Sequence, residues 1–436
     1  MVNQVTQVTE KLQLPSTDSN VATIRKLRSL AKGQPIKSWV LDERKAYRQI
    51  AVRPDHRCYS VVTFKHYETG MLAFFVMIGH SFGLVSAVYN YNRRSALLDE
   101  ILRNVFSLVS FNFYDDKFGF EPEATASSAF ERAELAHFLL GASFEKKKLQ
   151  FSSVVDILGV TYDLNNFVLK IKESRKEEII EEINSIIQVG FLEPGRAGKL
   201  KGKLMFGASQ LWGKVGRAYF LSISERQYAR GFDPAKHAAL SPGLVLSLKQ
   251  WTKLIAKGPP REINSVKPAP ADVVIFTDGF TPDQRKKETG LSRVGAVMFS
   301  RCHQLPAQFG EVVPAEVIRT WLPRATQICM VELVATVIAL QTFKPYLQDK
   351  SVLFLVDAEA VEGALVKGYS ARSDLCELVG VFWDLVLDLK ALVYIDRVPT
   401  DANCSDGSSR DKLWIGQALG WTTVPAQWPP QVWFKI

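Results

Sequence analysis

The chain has 436 residues, 23% of them charged and 47% hydrophobic, with a net charge of +9. It is too apolar for a disordered polymer and long enough for roughly two to four domains. The charge is uneven: residues 271–436 carry 16 basic against 19 acidic side chains, leaving 38 against 26 in the first 270. A basic front half suits a polyanionic partner, and an acidic back half suits metal-dependent chemistry. The five cysteines, Cys58, Cys302, Cys329, Cys376 and Cys404, have no Cys-x-x-Cys spacing, which excludes a disulfide framework and a structural zinc site. The N-terminal stretch is polar, and the longest apolar run, 71–89, is broken by His80 and Ser81. Neither a signal peptide nor a membrane span is expected, so the expected location is intracellular, cytoplasmic or nuclear.

In chain order, residues 39–50 (WVLDERKAYRQI) predict a strand that ends on Asp42, with Tyr47 five residues later. Residues 80–88 (HSFGLVSAV) place Phe82 and Gly83 at a turn before a helix. Residues 107–120 (SLVSFNFYDDKFGF) predict a hairpin with Asp115 and Asp116 at its tip. An Asp-Asp pair alone is an ordinary polar turn. Likewise Tyr47 could serve as a core aromatic at a strand-to-helix corner, and Lys146, in the run Lys146, Lys147, Lys148, could belong to a solvated charged face.

Near Lys170 alternating strands give way to helix, with Ser174 and Glu177 at capping-box spacing and Ile179, Ile180, Ile183, Ile186 and Ile187 at helical spacing. Six basic residues follow, Arg196, Lys199, Lys201, Lys203, Lys214 and Arg217, in a stretch free of acids and interleaved with glycines. That composition suits either a grip on duplex phosphates or a soluble basic surface. Residues 257–270 hold four prolines and no apolar periodicity, as a linker does.

The most informative residues come last. Asp278 ends a β-rich run (273–278), Glu332 lies in an apolar helical stretch (328–340), Asp357 ends a second strand (352–357), and Asp406 follows a third (392–395) after a short loop. A carboxylate at the end of a buried strand is costly unless paired or metal-bound. Four converging carboxylates repel one another, and two divalent cations relieve that repulsion.

The order strand–Asp, helix–Glu, strand–Asp, loop–Asp resembles the ribonuclease H fold. The front segments, in their order and spacing, resemble the palm of retrotransposon reverse transcriptases: Asp42 and Tyr47, then Phe82-Gly83-Leu84, then Phe113-Tyr114-Asp115-Asp116, then a lysine-bearing turn and Leu158-Gly159. Together they are similar to elements whose polymerase and ribonuclease H are fused, of the long-terminal-repeat or tyrosine-recombinase kind. The resemblance implies an α+β right-hand palm with truncated fingers (1–170), a helical thumb or connection (171–256), a linker (257–270), an α/β ribonuclease H-like domain (271–412) and a C-terminal tail (413–436). It also implies RNA-directed DNA synthesis at Asp42, Asp115 and Asp116, and hydrolysis of RNA in hybrids at Asp278, Glu332, Asp357 and Asp406. Two Mg²⁺ or Mn²⁺ ions per site are implied, with RNA template, DNA primer, RNA–DNA hybrid and deoxynucleoside triphosphates as partners. Tyr47 would select deoxynucleotides, Phe82 and Gly83 would support the nucleotide, Lys146 would protonate pyrophosphate, and the six basic residues would grip phosphates.

The chain departs from the family pattern at Phe113, where Tyr is usual, at Ser81, where Pro is usual, and at Ala358, where Asn is common. The 400–406 loop lacks a histidine, and Arg25, Lys26 and Arg28 match no fingers motif. Three readings stay open: an active enzyme of both kinds, a domesticated or degenerate nucleic-acid-binding scaffold, and a protein with ribonuclease H activity alone.

Overall fold

Trp39, Leu41, Phe118 and Phe120 are wholly buried, and around them the first sheet condenses. The computed structural model describes residues 2–229, 239–263, 270–282, 290–302 and 305–430. They divide into two units, Met1–Arg175 with Pro259–Lys267, and Lys176–Gly258 with Pro268–Ile436.

In the first unit, β1 (Ile36–Asp42), β2 (Val61–Lys65), β3 (Leu72–Val76), β4 (Ser110–Phe113), β5 (Asp116–Pro122), β6 (Gln150–Ser152), β7 (Val154–Ile157), β8 (Val160–Asp163), β9 (Val168–Ile171) and β10 (Arg261–Glu262) follow in order. They build one sheet of order β4-β5-β1-β6, a second of order β10-β9-β8-β7, and a separate β2-β3 hairpin. All pairings in this unit are antiparallel. The Glu123–Leu139 helix covers the first sheet with Ala126, Ala129, Ala133 and Ala136, all buried. Small residues at spacings of three and four make a flat stripe, so helix and sheet approach closely. Trp39, Leu41 and Leu102 fill the space between them with Ala133 and Ala136.

Helices Glu173–Val189, Pro194–Gly207, Phe220–Gln227 and Pro242–Lys257 lead into the strands of the second unit. These are β11 (Val273–Phe280), β12 (Arg293–Ser300), β13 (Ala307–Val312), β14 (Ser351–Val356), β15 (Leu392–Arg397) and β16 (Thr422–Thr423), in the spatial order β15-β14-β11-β12-β13-β16. β11, β12 and β13 form an antiparallel meander, while β14 pairs parallel with β11 and β15 parallel with β14. The Ile328–Thr342 helix is apolar around nearly its whole circumference. It is packed against β11 and β12 on one side and the Ser373–Asp388 helix on the other, which is why no polar face is needed.

Three boundaries differ from expectation. The Glu173–Val189 helix has already begun at Ser174, so Ser174 lies inside the first turn and cannot be its N-cap; burial of Ile179, Ile183 and Ile186 defines the helix instead. Arg261 and Glu262, expected in a linker, pair with Leu169 and Val168 as β10, while 264–269 lie outside the described residues. The expected tail contributes a helix, Leu413–Ala418, and strand β16, which extends the large sheet beside β13. No helix among the described residues is long and apolar enough to cross a membrane.

Candidate functional site

Asp278 sits within β11, Asp357 one residue beyond the parallel neighbour β14, and Glu332 in the second turn of the Ile328–Thr342 helix laid across them. Carboxylate oxygens of the three lie within 4.8 Å of one another. The close approach depends on Gly279, because a Cβ there would stand 2.6 Å from the Glu332 nitrogen. Asp278 and Glu332 are almost fully buried. Burial first, then the charges of Asp278 and Asp357, push the Glu332 carboxyl up to about 9, although a hydrogen bond with the Gly279 backbone pulls it down. Burial likewise raises Asp278 to about 6, with Asp357 and Asp406 adding and Ser409 opposing. Ser409 Oγ donates to Asp278 Oδ2, and Asp357 Oδ1 is buried without a partner among the described residues.

Asp406 begins the Asp406–Ser409 helical turn and stands outside the group of three. Its Oδ1 accepts from Arg410 Nε at 2.6 Å, and the Arg410 guanidinium lies 5.1 Å from the Phe280 ring centre. Buried Asn403 anchors this loop, donating through Nδ2 to the Thr277 carbonyl at 3.0 Å and accepting from Ser405 Oγ at 2.6 Å. Gly295 lets the turn settle on the sheet, since a Cβ there would come within 2.3 Å of the Ser409 nitrogen. Gly279, Asn403, Ser409 and Arg410 all escaped the sequence reading. The polar loop 400–406 carried a signal for Asn403; nothing local marked the others.

In the first unit, Asp42 and Asp116 are cross-strand partners on β1 and β5, and Asp115 lies in the turn before β5, its carbonyl accepting from Glu43 N–H at 3.3 Å. Burial first, then Asp115 and Asp42, raise Asp116 to about 6, tempered by Lys148 and Lys117. Among the described residues only Asp278, Glu332 and Asp357 gather closely enough to form a three-carboxylate group, so Asp42, Asp115 and Asp116 stand further apart. The lysine at the site is Lys148, whose Nζ lies 2.9 Å from Asp42 Oδ2. Lys146, expected in that role, is exposed and makes no ion pair among the described residues. Asp42, Asp116, Lys147, Lys148, Asp156 and Lys172 share a groove of about 320 Å³.

Tyr47 and Phe82 do come together, with ring centres 5.3 Å apart, and Tyr91 lies 4.9 Å from Tyr47. Gly83 has φ +88° and leads into the Val85–Asn104 helix. Asn3 clamps this turn, donating to the Gly83 carbonyl at 2.7 Å and accepting from Val85 N–H at 3.0 Å. Beneath the site, buried Glu43 accepts from Tyr91 and pairs with Arg94. Fully buried Lys117 is lowered by its burial to about 8.

The six basic residues are mostly engaged within the protein. Lys203 Nζ lies 2.6 Å from Glu178 and 2.9 Å from Glu182, and Arg196 Nε lies 3.4 Å from Glu182. Lys214 lies 5.1 Å from the Trp383 ring centre, and Arg217 donates to the carbonyls of Gly213 and Lys367. Lys201 rests over Tyr228, and Lys199 is exposed. Of the interleaved glycines, Gly216 and Gly198 face Trp251 and Gln227, while Gly195, Gly202 and Gly213 open onto free space. No protein-family model and no curated protein sequence matches the chain.

Proposed function

We propose that the second unit is a ribonuclease H-like nuclease that cleaves RNA in RNA–DNA hybrids, and that the first is the palm of an RNA-directed DNA polymerase of the retroelement kind. The observation that carries the reading is the gathering of Asp278, Glu332 and Asp357 within 4.8 Å from strand, helix and strand, in the order the resemblance implies. The donor set fits a divalent cation. It offers hard oxygens, an unpartnered buried Asp357 oxygen and two carboxyls whose burial keeps them protonated more readily than usual. Asp278, Glu332 and Asp357 would hold Mg²⁺ or Mn²⁺, with Asp406 at the margin. When bound, such ions neutralise charge at a transferring phosphoryl group and acidify water.

The chain's own residues do the positioning. Ser409 fixes Oδ2 of Asp278. Asn403 ties the Asp406 loop to β11. In the first unit, Asp42 and Asp116 face each other across two strands, and Tyr47, paired with Phe82, feels the charge of Asp115. The nuclease-only reading has one observation in its favour: Lys148 already pairs with Asp42, whereas Glu332 makes no ion pair among the described residues.

The test uses the whole chain on an RNA template, a DNA primer and an RNA–DNA hybrid with Mn²⁺. Glu332→Gln should lower hybrid cleavage by about a thousandfold, as loss of a charge-stabilising group does, and spare any primer extension. Asp42→Asn should do the reverse. Cleavage unaffected by Glu332→Gln would overturn the nuclease assignment. Extension unaffected by Asp42→Asn would overturn the palm assignment, and no extension by the unaltered chain would leave the nuclease-only reading.

A further inference from the structure

Between Tyr59 and Ile78 the β2–β3 hairpin presents apolar side chains to solvent on both faces. Register places Val61 beside Val76 and Thr63 beside Phe74 on one face, with Val62 beside Phe75 and Phe64 beside Ala73 on the other. Phe64 and Phe75 stack with ring centres 4.7 Å apart. The hairpin is nonetheless firmly based. Val52 N–H donates to the Ile78 carbonyl at 2.8 Å, Met77 N–H to Ser60 at 2.8 Å, and His80 N–H to Ile50 at 3.0 Å.

Such an element does not belong bare in water. A two-stranded hairpin without a covered face is marginal, and monomers rarely expose a continuous apolar patch beyond about 300–600 Å². Half-buried Met77 apart, the large apolar side chains from Tyr59 to Ile78 are 39% to 88% exposed. At roughly 150–250 Å² for each fully exposed aromatic they offer on the order of 1,000 Å², which meets the ~800 Å² that each partner gives a standard interface.

Charge narrows the occupant. The only formally charged residues in this stretch are Lys65 and Glu68, so the surface holds nothing for a polyanion. One charge of each sign also means that two copies meet with no excess of like charge. Among the described residues β2 and β3 pair only with each other, so each keeps a free edge of backbone donors and acceptors. A strand related by a two-fold axis satisfies such an edge without starting an open-ended array.

We infer that the β2–β3 hairpin is the self-association surface of this chain, and that its occupant is the same hairpin of a second copy in a two-fold dimer. The inference rests on no assignment of catalytic activity, and its readout is independent of one.

Sedimentation velocity of the full chain, from sub-micromolar to tens of micromolar, tests it. The unaltered chain should pass from monomer to a dimer plateau. Phe74→Glu on one face and Phe64→Glu on the other each replace a solvent-exposed side chain, so circular dichroism and melting should stay near those of the parent. Because a central aromatic anchor is lost and a charge is placed in the interface, at least one of them should weaken dimerisation about a hundredfold or more. A monomer throughout the range would overturn the inference. So would a dimer indifferent to both changes, growth past dimer with no plateau, or a monomer that instead binds vesicles of neutral phosphatidylcholine through this hairpin.

Discussion

Replacing Glu332 with Gln removes a charge from the centre of the carboxylate group while keeping its shape. Glu332 is held near 9 against an ordinary 4.5, by burial first and by Asp278 and Asp357 after it. Below the ordinary value the carboxyl is protonated in folded and unfolded chains alike, and pH has no leverage through it. As pH rises through that value the unfolded carboxyl ionises while the folded one keeps its proton. The folded state then loses about 1.4 kcal/mol per pH unit from this group until pH reaches about 9. At about pH 7.5, without divalent cation, the loss is on the order of 3–4 kcal/mol. Asp278, raised to about 6, adds to it with the same sign over a lower window. Gln does not ionise. In EDTA at about pH 7.5 the variant should therefore be more stable than the parent by about 2–4 kcal/mol, or roughly 4–12 °C in melting temperature. The difference should vanish near pH 4.5 and grow as pH rises. Mn²⁺ should raise the parent's melting temperature increasingly at higher pH, because it binds the ionised folded group, and should do less for the variant. Differential scanning calorimetry across this pH range, with EDTA and with Mn²⁺, measures all three. A variant less stable than the parent at every pH, or a parent whose stability in EDTA does not fall with rising pH, would refute the reasoning.

Gly279→Ala should destabilise the second unit by about 2–4 kcal/mol, because its Cβ would press on helix backbone 2.6 Å away and neither element can yield cheaply; melting temperature checks the cost, and hybrid cleavage should fall further than stability alone explains. Lys199 and Lys201 changed together to Ala should reduce the log–log salt slope of hybrid binding by about one to two units. Lys203→Ala should leave that slope unchanged, since its ammonium is already held by Glu178 and Glu182; an equal drop for Lys203 would show that these ion pairs open on binding.

The acids of the second unit were legible because a strand-end carboxylate in an apolar run has few inexpensive uses. Asp278, Glu332 and Asp357 needed only secondary structure to be recognised as a set. What holds them was not legible. Gly279 and Gly295 matter through backbone contacts made by residues more than fifty positions away, and Ser409 finds Asp278 across 131 residues. Lys148 rather than Lys146 reaches Asp42 because the three lysines form one tight turn, and a run of identical residues gives no hint of which one faces inward. The basic stretch 196–217 is less free of acids in space than in sequence, for a related reason. Its freedom from acids is a local property, while the acids that neutralise Lys203 and Arg196 lie on the preceding helix, 14 to 25 residues back. The capping-box spacing at Ser174 was a true pattern in the wrong place, overridden by a helix that starts one residue earlier.

The two carboxylate sites differ in how the protein itself balances their charge, and that difference decides which has the greater need for an external cation. In the first unit Lys148 pairs with Asp42 at 2.9 Å and also lowers Asp116, which stands at about 6. In the second, Arg410 pairs with Asp406 at 2.6 Å but Asp406 lies outside the close group, so this cation reaches Asp278 and Glu332 only weakly. Burial first, then the charges of Asp278 and Asp357, hold Glu332 at about 9, and Arg410 offsets little of it. A divalent ion must displace the proton to use the carboxylate, so its hold on Glu332 should tighten as pH rises towards about 9. Asp42 and Asp406 are thus each paired with a cation of the chain, while Asp278, Glu332 and Asp357 gather without an ion pair among the described residues. That asymmetry favours the proposed metal-dependent hydrolysis in the second unit over the proposed polymerisation in the first.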